Sequence, residues 1–118
     1  MILSTTEELQ GFEITEYLGL VSGEVVSGAN IVRDVMATVT DFVGGRSAAY
    51  EETMQTSREA TLRELTDRAR RMGADGVVGI NMDFEVIGGR GAMMMVSAVG
   101  TAVRIRKLEA FHGPAAGA

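Results

Sequence analysis

The apolar and polar positions along the chain predict three long β-strands. Residues 14–26 are rich in β-branched side chains and lack a 3.6-residue apolar stripe, so they predict the first strand. Alternate residues of a strand point to opposite faces, and both faces of this strand carry large apolar side chains. This indicates burial on both sides. Residues 78–86 alternate between apolar and polar side chains and predict a second strand with one face in the core. A glycine-rich hairpin turn at residues 88–91 leads to a third strand, residues 93–106, and residues 1–6 can add a short strand.

Two helices are predicted between the first and second strands. Asn30 suits the N-cap of the first helix, residues 31–43, whose apolar residues recur at helical spacings before a pair of glycines. The second helix follows Ser47, carries acidic residues in its first turns and arginines in its last, and ends at Gly73. Its inward-facing stripe is predicted to be Tyr50, Met54, Leu62, Leu65, Ala69 and Met72.

The order of these elements predicts an α+β fold in two layers, with two helices on one side of a small antiparallel sheet. Ala98, Gly100 and Ala102 share one face of the last strand and leave a shallow trough into which a helix can pack closely. We expect a single domain over residues 1–107. Residues 108–118 have too few large apolar groups to order themselves, so we expect a disordered tail there.

This fold would leave apolar surface that a single copy cannot cover. Three main strands give two sheet edges, and edges rich in valine and isoleucine pair with other chains unless something blocks them. The apolar arc of the first helix is also wider than one sheet face of a small domain usually covers. No disulfide can compensate, because the chain has no cysteine. The pattern therefore predicts a homo-oligomer.

Composition and charge exclude several kinds of binding site and partner. The chain has 118 residues, no cysteine and a single histidine, His112, which excludes thiolate metal sites and imidazole clusters. A net charge of -5 argues against a nucleic-acid partner, since phosphate binding needs a basic face. No apolar stretch is long enough to span a membrane, and the acidic amino end has no export signal, so we expect a cytoplasmic protein.

Five segments of the chain together resemble the YbjQ-like family of small bacterial proteins, over residues 1–106. They are EYLGLVSGE at residues 16–24, GANIVRD at 28–34, GGRS at 44–47, GADGVVG at 73–79 and MVSAVGTAV at 95–103. The resemblance implies a dodecin-like β-α-α-β-β subunit and a homopentameric ring with no established activity. The family also carries a description as a heavy-metal-binding domain.

Two groups of side chains are candidates for a metal site. Met93 and Met95 point to the same side of the last strand and could offer thioether ligands to Cu(I), although packing explains them better. Asn81, Asp83 and Glu85 share one strand face, and repeated around a ring they would form circles of oxygen ligands suited to Mg²⁺ or Ca²⁺. A solvated polar face is the simpler reading of these three.

Arg33, Asp34, Arg46 and Glu24 form a candidate ligand site at subunit junctions. Arg46 follows two glycines and precedes a helix, so its guanidinium and free backbone N–H groups could bind a small anion. The simpler reading pairs these arginines with Asp34 or Glu24 as structural ion pairs.

No catalytic residue or cofactor emerges from the sequence. A hydroxyl nucleophile needs a positioned base, and His112 lies in the expected tail. The favoured hypothesis is a non-enzymatic cytoplasmic homo-oligomer with a small anion or other ligand at its subunit junctions, and the resemblance implies that it has five copies. The alternative is a metal-binding or metal-responsive protein, and the third is an enzyme with a pocket at a junction.

Overall fold

A computed structural model describes residues 1–27, 48–87 and 93–109, without the side chains of residues 48–50 and 87. Its elements are β1 (Ile2–Leu3), β2 (Phe12–Ser27), α1 (Ala48–Arg71), β3 (Gly76–Ile87) and β4 (Met93–Lys107). The three long strands and the helix after Ser47 are confirmed. The helix expected at residues 31–43 and the turn expected at residues 88–91 lie outside the described residues.

The four strands form one sheet in the order β1-β3-β4-β2. β4 pairs antiparallel with both β2 and β3, as expected, whereas β1 pairs parallel to β3 through Ile2 and Leu3. The α+β class is therefore confirmed, but the sheet is mixed rather than wholly antiparallel. Hydrogen bonds from Ile2 N to Asp75 O and from Ser4 N to Val77 O form this parallel pair. They satisfy backbone carbonyl groups at the start of β3.

The face of the sheet that carries α1, here called the helix face, holds the larger core. Leu65 and Ala69 of the predicted stripe are fully buried against residues of β2, β3 and β4. Ala98 and Ala102 of the trough expected on β4 are buried in the same apolar cluster as Leu65 and Ala69, which agrees with that expectation. The helix also approaches Gly23 of β2 closely, where an added Cβ would come within 2.6 Å of Thr61 O and 2.7 Å of Leu65 N. The space beside Gly100 is filled by side chains of β3 instead.

Two hydroxyl residues that the apolar stripe did not include also lie in this interface. Thr61 is fully buried and donates from Oγ1 to Ser57 O (2.8 Å) and to Val96 O of β4 (3.3 Å). Ser57 is buried too, and its hydroxyl lies 3.5 Å from that of Ser27. These bonds satisfy the buried hydroxyls and tie the helix to two strands.

The opposite face of the sheet, here called the outer face, is covered at one end by the loop of residues 4–11. Leu9 of this loop packs against Val78 and Val103, both buried. Val78 and Ile80 therefore lie on opposite faces, contrary to the single apolar face predicted for residues 78–86. The cause is a break in the pairing with β4 between Val78 and Asn81, where Gly79 takes a φ of 62° that favours glycine.

The end of α1 is joined closely to β4. Gly73 has a φ of 84°, Ala74 N donates to Ala69 O and Gly73 N donates to Arg70 O, which is a Schellman motif. Arg104 Nε of β4 donates to Gly73 O (3.1 Å) and Ile105 N donates to Asp75 Oδ2 (3.1 Å). The predicted end of the helix is confirmed.

In the parts of the chain that the structure describes, no helix has the length and apolar character to cross a membrane.

Candidate functional site

The outer face brings together candidate residues that the sequence presented as two separate sets. Residues paired directly across antiparallel strands share a face, so the register of β2, β4 and β3 defines rows on that face. The rows, read from β2 through β4 to β3, are Ser22–Val99–Asn81, Glu24–Ser97–Asp83 and Val26–Met95–Glu85. Glu24 of the expected anion site therefore lies on the same face as Asn81, Asp83, Glu85 and Met95 of the expected metal site.

The carboxylates of these rows are too dispersed to chelate one ion within a single copy. Glu24 and Asp83 lie on either side of β4, roughly 10 Å apart for two strand spacings. Across residues 1–27, 48–87 and 93–109 there is no group of three or more carboxylate or imidazole side chains that could hold a metal ion. Glu24, Asp83 and Glu85 are exposed, and none of them forms an ion pair with another described residue.

The methionines of β4 alternate between the two faces, as a strand requires. Met94 is buried, whereas Met95 is half-buried between Val26 and Glu85 on the outer face. Met93 is exposed and lies opposite Ile87. Met93 and Met95 thus share a side of the strand, but they are separated by roughly 7 Å along it. Two thioethers at that distance supply few ligands for Cu(I).

Of the expected anion site, only Glu24 falls within the described residues. Arg33, Asp34 and Arg46 lie outside them. The arginines of β4 have structural partners at the opposite end of β2, where Arg106 pairs with Glu13 and Arg104 with Glu16 (3.7 Å). All four side chains are largely exposed, so each pair contributes about 0–1 kcal/mol and mainly sets the register of the two strands.

The outer face and the edge strand β2 also expose large apolar side chains. The exposed fractions are 69% for Tyr17, 79% for Leu20, 49% for Val26 and 42% for Val99. Ser22, Glu24 and Asn81 separate these side chains, so the face combines apolar and polar positions. A surface of this composition suits contact with another protein chain better than contact with a small substrate.

One concave feature was not anticipated from the sequence. The loop of residues 4–11 borders an open depression of about 1010 Å³, whose lining includes the apolar Phe12, Ile14 and Leu108 and the acidic Glu7 and Glu8. Leu108 N donates to Gly11 O, which holds the end of β4 beside the loop. The polar residues before Leu9 gave no pattern from which this depression could have been inferred. The depression depends on how the loop of residues 4–11 crosses the sheet.

Residues 1–106 match the model of a protein family that is described as "Putative heavy-metal-binding". The chain belongs to the YbjQ-like family. This confirms the resemblance carried by the five sequence segments. A crystal structure of a protein of unknown function from Pediococcus pentosaceus, assigned to the DUF74 family, is similar to the YbjQ-like chain with a TM-score of 0.57. The identity is 17%, over 90% of this chain and 98% of that chain, so the likeness concerns the fold alone.

Proposed function

We propose that the protein is a non-enzymatic, self-assembling ring of five copies, located in the cytoplasm, with a small anion or other ligand bound at its subunit junctions. The observation that carries this proposal is the set of large apolar side chains left on the outer face and along β2. Burying one such side chain contributes about 1.5–3 kcal/mol relative to leaving it in water. Several of them at each junction would offset the loss of translational and rotational freedom on association.

The number of copies and the ligand have separate support. Five copies are what the resemblance to the YbjQ-like family implies. The junction ligand is proposed for Arg33, Asp34, Arg46 and Glu24, of which Glu24 lies on the exposed outer face. The net charge of -5 supports the absence of a nucleic-acid partner.

Sedimentation velocity at micromolar concentration tests the assembly. We expect a mass about five times the 12.5 kDa of one chain. Leu20→Asp should shift the protein towards smaller species, because a charge would replace the most exposed apolar side chain of β2. Gln55→Asp adds the same charge on the exposed side of α1 and should leave the mass unchanged. A single well-folded copy at this concentration would refute the proposal.

The second candidate function is metal binding, favoured by the family description and by the shared face of Asp83, Glu85 and Met95. Within the proposed ring, its ligands would come from neighbouring copies. An enzyme with a junction pocket is the third candidate and has the least support. The single histidine of the chain, His112, lies outside the described residues.

Isothermal titration calorimetry of tag-free protein separates the first two candidates. We expect no saturable heat with Cu(I), Zn²⁺, Ni²⁺ or Ca²⁺, because few ligands converge on the outer face of one copy. Saturable heat with inorganic phosphate that Arg46→Gln weakens would support the anion site. Stoichiometric heat with any of the four metals, lost in Asp83→Asn, would favour metal binding instead.

A further inference from the structure

Two stretches of sheet edge that have no strand partner among the described residues flank the same part of β4. Residues 20–27 of β2 pair with residues 94–101 of β4 without interruption, and residues 81–87 of β3 pair with residues 93–99 from the other side. β1 reaches only Gly76 and Val77 of β3, and no other described strand pairs with the outer side of either stretch. The two edges therefore lie at the same level of the sheet and have nearly equal lengths.

Only this half of β2 is regular enough to accept another strand. The first half has two register shifts, between Ile14 and Glu16 and between Tyr17 and Gly19, and Gly19 has a φ of 116°. Bulges of this kind bend a strand and interrupt edge pairing. Residues 20–27 carry no such break, and they present a continuous row of backbone N–H and C=O groups.

The edge of β3 at residues 81–87 is poorly suited to pair with the same edge of a second copy. In an antiparallel pair of identical strands, directly opposed residues share a face, and Asp83 and Glu85 both lie on the outer face. Any register that overlaps more than half of residues 81–87 therefore opposes Asp83 to Glu85, or one of them to itself. Like charges directly opposite each other destabilise a strand pair, so this edge fits a different strand.

We infer that residues 20–27 of β2 in one copy pair in parallel with residues 81–87 of β3 in a second copy, so that copies join head to tail. This inference rests on the proposed self-assembly and specifies its interface. β2 and β3 both run antiparallel to β4, hence parallel to each other, and a sheet continued by rotation keeps that direction. A head-to-tail contact closes into a ring when the rotation does.

Charge also restricts the register of the new pair. Continuing the rows without a shift would set Glu24 beside Asp83 of the second copy. A shift of two residues sets Glu24 beside Asn81, whose amide can donate to the carboxylate, and Val26 beside Asp83. A stagger of this kind is also what a closed sheet requires. The shifted register therefore removes the like-charge contact and adds a hydrogen bond.

Engineered disulfides test this interface directly, since the chain has no cysteine of its own. The double variant Glu24→Cys/Asn81→Cys places its two thiols on strands separated by β4, beyond the Cα separation of about 4.4–6.8 Å that a disulfide spans. On oxidation with diamide we expect a ladder of covalent multimers that dithiothreitol returns to one band. The single variants Glu24→Cys and Asn81→Cys are the matched controls and should stay unlinked.

The outcomes distinguish the interface from the assembly itself. Efficient dimers from Glu24→Cys alone would show that β2 pairs with β2 and would overturn the inference. If the double variant sediments as an oligomer but does not link, and Glu24→Cys/Asp83→Cys and Glu24→Cys/Glu85→Cys also fail, the inference falls while the proposed assembly stands. A wild-type protein that sediments as a monomer would remove both.

Discussion

Gly23→Ala should lower the free energy of unfolding by about 3 kcal/mol, at the upper end of the range for overpacked cores. The new Cβ would meet Thr61 O at 2.6 Å and Leu65 N at 2.7 Å. Both are backbone atoms of α1, so neither can rotate away as the end of a flexible side chain could. The helix would have to move as a whole, and it would strain the bonds from Thr61 to Val96 O and from Arg68 to Ser22 O.

Urea denaturation at a fixed protein concentration measures this effect. Ser22→Ala is the matched control, because Ser22 is the exposed neighbour of Gly23 and lies on the outer face. It should change the free energy of unfolding by less than about 0.5 kcal/mol. Equal stabilities for the two variants would show that α1 does not approach β2 as closely as the structure has it.

Leu65→Ala should cost about 2–5 kcal/mol, the range for a large core side chain that leaves a cavity. Leu65 is fully buried at the centre of the helix face and packs with Val21, Val77 and Ala98. The same denaturation experiment measures the loss. Leu62→Ala serves as control, since Leu62 belongs to the same helix but is only partly buried. A cost for Leu62→Ala as large as that for Leu65→Ala would contradict the burial pattern.

Much of the fold was predictable because its signals are local. β2 is rich in β-branched and other apolar residues, and α1 follows a serine of the type that suits an N-cap, carries arginines in its last turn and is followed by Gly73. The alternation of apolar and polar residues along β3 also predicted the face shared by Asn81, Asp83 and Glu85. Each of these patterns spans residues close in sequence, so their consequence does not depend on a distant partner.

The details that were missed or wrong depend on contacts between distant segments. Alternation placed Val78 and Ile80 on one face, but the turn of the chain at Gly79 separates them. Apolar spacing did not mark Thr61 as buried, because its hydroxyl is satisfied by Val96 O of another strand. The sequence did not mark Gly23 of β2 as a further point of contact between helix and sheet, since the crossing of α1 over Gly23 follows from packing.

For the candidate site too, local spacing predicted some features and the pairing of distant strands decided others. Spacing along β3 and β4 placed Asp83, Glu85 and Met95 on defined strand faces. It could not show that Glu24 joins them, because that depends on the register of β2 against β4. The residues proposed for the anion, Arg33, Asp34 and Arg46, remain a prediction from the sequence.

From its amino acids alone, this protein could be recognised as an α+β member of the YbjQ-like family with a surplus of apolar surface. Periodicity, capping residues and turn glycines act over a few residues, so they can be interpreted without coordinates. Folding in three dimensions settled which of the described strands are neighbours, where the helix touches the sheet and which residues are paired across each ladder. Those features arise from long-range backbone pairing and close packing, whose partners are far apart in the chain.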